Sequence, residues 1–119
     1  MLTWVVYDIS NKAVSFSSPA IVRDTVYYGT SDGWLHAIDA RTGGMKAEFQ
    51  TDGSKANAAR FIDSNGKINS AALYPEATLD GMIIGLDRMY SLGSVFSSPV
   101  VVDGVAYFGS TDGNVYAVR

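Results

Sequence analysis

The chain contains no cysteine, a single histidine (His36), three prolines and no cluster of Lys or Arg. Without cysteine there is no disulfide framework, no Cys-ligated zinc, no iron–sulfur cluster and no thiol nucleophile. With one histidine, neither a His-rich metal site nor a Ser-His-Asp triad with a spare ligand assembles easily. A nucleic-acid footprint needs a basic stripe, and a formal charge of −3 with no basic run argues against one. No stretch approaches the ~20 apolar residues that span a bilayer. Met1–Asp8 has neither a basic n-region nor a long apolar h-region, so no signal peptide is expected there. Either the chain is soluble and cytoplasmic, or its targeting segment lies outside it.

What the sequence has is aromatic side chains and an internal repeat. Seven Tyr, five Phe and two Trp in 119 residues suit one folded, β-rich domain rather than a disordered chain. Phe16-Ser17-Ser18-Pro19 recurs as Phe96-Ser97-Ser98-Pro99, 80 residues later. The same shift carries Tyr27, Gly29, Asp32, Gly33 and Ala37 onto Tyr107, Gly109, Asp112, Gly113 and Ala117. Between these identities the changes are conservative, as from Ile21 to Val101 and from Tyr28 to Phe108. The gap-free repeat relates residues 16–39 to residues 96–119.

Each copy reads as short antiparallel strands. The first spans about Ser17–Val22 (Ser97–Val102), and the second Thr25–Gly29 (Val105–Gly109), rich in β-branched and aromatic residues. The third spans Trp34–Ile38 (Asn114–Val118). Asp103-Gly104 supplies the φ > 0 residues of the first hairpin, with Arg23-Asp24 in the equivalent place, and Asp-Gly at 32–33 and 112–113 turns the second. The nearly all-apolar first strands are expected to be buried on both faces, as in stacked sheets. A fourth strand at about Met45–Thr51 follows the first copy, while the second copy stops before its own. Thr3–Tyr7 looks like a spare outer strand. It either completes the blade of the C-terminal copy, in cis or from a neighbouring molecule, or belonged to a preceding blade.

These residues resemble the pyrroloquinoline-quinone-like (PQQ-like) β-propeller repeat family, whose pattern runs Ser-Ser-Pro, strand, Asp-Gly, Val-Tyr-Phe-Gly-Ser, Asp-Gly, a strand ending Ala-x-Asp, Thr-Gly and a Trp. The second copy gives SSPVVVDGVAYFGSTDGNVYAV, and the first includes Ala37, Asp39, Thr42 and Gly43. The family's docking Trp falls on Ala47, with Phe49 as the substitute at the seam between blades. The resemblance implies an all-β fold with a short helical insertion: two four-stranded antiparallel propeller blades, part of a larger or oligomer-completed propeller. Residues 1–119 then divide into blade 1 at about 14–51, an insertion with a helix at about 57–93, and blade 2 at about 94–119 with residues 3–7 as its outer strand. It further implies an extracytoplasmic, periplasmic or outer-membrane-associated scaffold like the assembly lipoproteins. Its partners are further blades, a second copy, or a protein or peptide ligand. PQQ and calcium enter only if the parent is a quinoprotein oxidoreductase, the alternative reading, whose site needs blades and cysteines that are not here.

Residues 52–93 fall outside the repeat. Asp52–Asn57 reads as polar and turn-rich, and Phe61–Ile68 as a turn between two apolar pieces. Asp63-x-Asn65-Gly66 lacks the acidic ligands and terminal Glu of an EF-hand loop. A short helix is expected around Ser70–Leu73. Leu79, Met82, Ile83, Leu86, Met89 and Tyr90 then share one face of a second helix, with Thr78 as N-cap and Gly93 beyond its end. The expectation is that this face packs on the chain's own blades, with docking of a partner or covering one mouth of the propeller channel as the alternative. Gly81 and Gly85 weaken the helix but admit a close neighbour.

No catalytic constellation emerges. His36 sits mid-strand opposite Tyr116 in the repeat and reads as a structural aromatic position. Ser17-Ser18 and Ser97-Ser98 lack a Gly-x-Ser-x-Gly elbow. Thr42-Gly43-Gly44 is a turn rather than a phosphate loop, and Asp32, Asp39, Asp103 and Asp112 sit in turns or at a strand end. Catalytic and metal residues are therefore expected to be none, and the cofactor site unknown. Because a propeller closes with about 4–8 blades, two blades imply self-association or further blades.

Overall fold

The computed structural model describes residues 14–119. The expected strand at Thr3–Tyr7 lies outside them. In the first copy, strands β1 (Ala20–Val22), β2 (Thr25–Gly29), β3 (Trp34–Asp39) and β4 (Met45–Gln50) form an antiparallel sheet in the order β1-β2-β3-β4. Helices α1 (Asp52–Phe61), α2 (Ser70–Leu73) and α3 (Leu79–Ser91) follow. Strands β5 (Val100–Val102), β6 (Val105–Gly109) and β7 (Val115–Val118) then form the second sheet, order β5-β6-β7. The turns obey the sequence: Arg23 and Asp103 take φ of 54° and 50°, and Gly33 and Gly113 take 87° and 88°.

Repeat-equivalent residues make equivalent bonds. The Ser17 hydroxyl accepts from the Gly29 amide at 2.8 Å, and Ser97 accepts from Gly109 at the same distance. The Ser31 amide donates to the Val14 carbonyl at 3.0 Å, and Thr111 donates to Ser94 likewise. At one end of the stack equivalents touch: the Phe16 and Phe96 rings meet edge-on at 5.5 Å, and the Ser18 amide donates to the Ser98 hydroxyl at 3.1 Å.

The two sheets pack face to face. Strand alternation puts Tyr27, Leu35, Ala37 and Phe49 on one face of the first sheet, and Val101, Ala106, Phe108, Tyr116 and Val118 on one face of the second. These faces meet around buried Leu35, Val95, Ala106 and Phe108. Phe49 lies across the seam, with its ring 5.9 Å from Phe108 and 5.2 Å from Tyr116. Ala47, two residues before it, stays exposed.

Two expectations need correction. The first strands are not buried on both faces: Ile21, Val100 and Val102 are exposed, whereas β3 of the first sheet is buried on both, with Leu35 and Ala37 on the seam side and His36 and Ile38 on the far side. The fold is also less purely β than expected, since the helical segment starts at Asp52 and carries three helices. Asp52–Asn57, read as a turn, is the first part of α1. Two features disguised it: Gly53 inside the helix and the polar run before it. Gly53 is there because a side chain would meet the Gly93 backbone at 2.9 Å, and Thr51 caps the helix by accepting from the Ser54 amide. The helices share a small core of their own, made of Phe61, Leu73 and Leu92.

Helices α2 and α3 stand where the spacing placed them, with Asn69 and Thr78 as N-caps. The face that α3 buries is the reverse of the expected one. Gly81 and Gly85 are buried, and a Cβ on Gly85 would stand 2.0 Å from the Tyr74 ring. Leu79, Met82, Ile83, Leu86 and Tyr90 are exposed, and of the expected face only Met89 is partly buried, against the core of the helices.

Candidate functional site

The helical segment seals the end of the stack that carries both Asp-Gly turns. The Thr51 amide donates to the Gly33 carbonyl, the Ser54 hydroxyl to the Asp32 carbonyl, and the Thr111 hydroxyl to the Tyr90 carbonyl. The Asp112 carboxylate accepts from the Gly53 amide at 3.0 Å and from the Tyr116 hydroxyl at 2.7 Å. The Tyr116 oxygen in turn accepts from the Asp52 amide at 2.9 Å. A carboxylate thus sits at the N-terminus of α1, where orphan amides and the helix dipole favour negative charge. Burial pushes the Asp112 pKa up. Together, the hydrogen bonds from Tyr116, Gly53, Asn114 and Ser110 outweigh that and hold it below its ordinary value. Burial, and then the bond to Asp112, raise the Tyr116 hydroxyl.

A depressed folded-state pKa stabilises the fold above the ordinary carboxylate value, and that contribution fades as pH falls through the lower folded one. Asp112→Asn is therefore expected to cost about 1 kcal/mol at neutral pH through the weakened helix-end contact. It should also flatten the loss of stability below about pH 4. Urea melts of both proteins between neutral and acid pH check both effects.

In the first copy, the equivalent of Asp112 and Tyr116 is Asp32 with His36. His36 is buried, with Nε2 3.1 Å from the Thr30 hydroxyl and Nδ1 3.1 Å from Glu48 Oε1. The Thr30 hydroxyl also donates to Asp32 Oδ1 at 2.6 Å. The Tyr28 and Trp34 rings stack against the imidazole, at 5.0 and 6.4 Å. Burial, and then the charges of Glu48 and Asp32, raise the Tyr28 pKa. Both ring nitrogens face hydrogen-bonding neighbours, Nε2 the Thr30 hydroxyl and Nδ1 the Glu48 carboxylate. Ser17 and Ser97 spend their hydroxyls on backbone, and Asp63 Oδ1 accepts from the Asn65 and Lys67 amides within its own turn. Among the described residues, no group of three or more His, Cys, Asp or Glu comes together.

A cleft of about 320 Å³ opens between the sheets at the end opposite the helices, lined by Tyr27, Leu35, Ala37, Ala47, Phe49 and Ala106. Lys46 lies at its rim and donates to the Thr25 hydroxyl at 2.6 Å.

The most distinctive surface is the outer face of the second sheet. Strand alternation places Val100, Val102, Tyr107, Val115 and Ala117 there, all apolar or aromatic and all exposed, with Val115 at 81%. Soluble proteins rarely leave a contiguous apolar sheet face open. Counting back along the repeat, these residues correspond to Ala20, Val22, Tyr27, Leu35 and Ala37, the last three of which form the packed face of the first sheet. Conversely, the packed face of the second sheet corresponds to Ile21, Val26, Tyr28, His36 and Ile38, on the far side of the first. The contact between the sheets therefore joins unlike faces, and each sheet carries both types. Sequence reading found the copies but not this relation, which needs the observed strand register.

No protein-family model matches the chain, and no curated protein matches it.

Proposed function

We propose that the chain is a non-catalytic binding and scaffold portion of a PQQ-like β-propeller protein that acts outside the cytoplasm. In this reading the two sheets are blades, and they stack in one sense only. The observation that carries it is the open face at Val100, Val102, Tyr107 and Val115, whose repeat equivalent at Tyr27, Leu35 and Ala37 is already filled inside the molecule. A face whose twin is packed by a sheet of the Val101–Ala106–Phe108 type fits another sheet of that type. The first sheet carries residues of that type at Ile21, Val26 and Tyr28, of which Ile21 is exposed and Val26 and Tyr28 are half-buried beside buried His36 and Ile38. Joining unlike faces is a head-to-tail contact, which closes into a ring when the rotation per step permits and otherwise runs on. Three or four copies of a two-blade chain would supply six or eight blades, within the usual range.

Replacing Val115 or Tyr107 with Glu places a charge in the middle of this face while leaving the packed seam alone. Light scattering should show the parent chain as an oligomer and each variant as a smaller species, with the circular dichroism of both unchanged. A monodisperse monomer of the parent chain at high concentration would overturn the self-association. Saturable binding of the quinone with calcium, with a spectral shift, would instead favour an oxidoreductase fragment.

A further inference from the structure

We infer that the exposed stripe of α3 is a docking helix for a different protein, one that offers an apolar groove with Lys or Arg along one rim. At 3.6 residues per turn, Leu79, Met82, Ile83, Leu86 and Tyr90 lie within about 100° of arc. Gly81, Gly85, Arg88 and Leu92 lie on the opposite side. That opposite side holds the helix to its own chain: Gly85 sits on the Tyr74 ring, Gly81 on the Glu76 backbone, and Arg88 donates to the Ala72 carbonyl at 2.8 Å. The stripe is left in solvent, with Leu79 73% and Ile83 58% exposed. Side chains at i, i+3, i+4, i+7 and i+11 along about 17 Å of helix are the anchors of helix-in-groove recognition. The two glycines weaken the helix as a helix, so its place here depends on this packed side.

Charge selects the occupant. Asp80 and Asp87 lie on one flank of the stripe, and residues 74–87 include Glu76 but neither Lys nor Arg. A second copy paired antiparallel through this stripe would set the acidic flank against itself. A parallel copy would set it against Gly85 and Met89. Neither arrangement gives the acids a cation, because Arg88 points to the packed side. A helix that lies in a membrane interface carries Lys and Arg on its polar flanks, whereas these flanks are acidic. A partner groove with a basic rim is the arrangement that covers the apolar stripe and pairs both carboxylates.

The test places a photo-crosslinking phenylalanine analogue at Ile83 of the full chain in its host cells, with Lys67 as a control position. One heterologous crosslinked protein is expected at Ile83. Its yield should fall by about tenfold in Asp80→Lys/Asp87→Lys and in Leu86→Glu, while Lys67→Glu leaves it unchanged. Because these positions are exposed, the variants should stay folded, with Asp80→Lys slightly less stable because it reverses the charge in the first turn of α3, and a shared loss through unfolding would show in a thermal melt. Four results would overturn the inference: a crosslink to a second copy, co-sedimentation of the chain with phosphatidylcholine–phosphatidylglycerol vesicles that Leu86→Glu abolishes, a crosslink indifferent to the charge reversal, or none at Ile83. The last three are independent of the stacking of the sheets, since α3 shares no residue with the seam, and the first is read in the Val115→Glu background, where that stacking is removed.

Discussion

Gly33→Ala is expected to destabilise the fold by about 3–5 kcal/mol, whereas its repeat twin Gly113→Ala costs about 1 kcal/mol. Both glycines turn the same hairpin with nearly the same positive φ, so the backbone penalty for a Cβ is shared. Their surroundings are not shared. A Cβ on Gly33 would meet the Leu92 carbonyl oxygen at 2.3 Å and Ser54 Cβ at 2.5 Å, whereas around Gly113 nothing lies within 4 Å. Leu92 and Ser54 belong to the helical segment that seals this end, and the Leu92 contact is with backbone, which cannot swing aside. Paired urea melts of the two variants therefore weigh the attachment of the helices against an internal control. Equal losses at the two positions would mean that the helices do not press on the first turn.

Phe108→Ala should cost about 3–5 kcal/mol, a large share of the 5–15 kcal/mol that typically holds a domain together. Phe108 is buried at the seam, stacked on Tyr116 at 5.3 Å and met edge-on by Phe49. Removing its ring leaves a cavity bordered by side chains from both sheets, and β6 pairs with neighbours on each side and so cannot easily shift to fill it. Its twin Tyr28 is half-buried on the far face of the first sheet, so Tyr28→Ala should cost markedly less in the isolated chain. Thermal unfolding of the two variants side by side measures the difference.

The sequence made the strands, their turns and the repeat legible because hairpin chemistry is local. Asp-Gly at 32–33 and 112–113 and the Ser-Pro entries act within a few residues of themselves. The extent of the helical segment was not legible. Gly53 counts against a helix in any propensity reading, yet it is required by the Gly93 backbone, a neighbour that only the fold brings near, just as the Tyr74 ring requires Gly85 in α3. The same limit reversed the expected face of α3. Periodicity located its apolar stripe correctly, but it does not say which side of a helix meets the chain when the opposite side is made small enough for close packing. The Asp112–Tyr116 clamp on α1 was hidden for a related reason: its donors at Asp52 and Gly53 lie about 60 residues away, as the separations of 64 and 59 show.

That the open sheet face and the filled one are equivalent has a direct geometric consequence. Leu35 packs with Ala106 and Phe108 inside one molecule, so Val115 should meet Val26 and Tyr28 of the next unit. Since the chain has no cysteine of its own, a Val115→Cys/Tyr28→Cys double variant reports this contact alone. Under mild oxidation it should form a ladder of disulfide-linked dimers, trimers and larger species, while neither single variant passes beyond a dimer. A double variant that stays monomeric under the same oxidation would contradict head-to-tail stacking of the sheets.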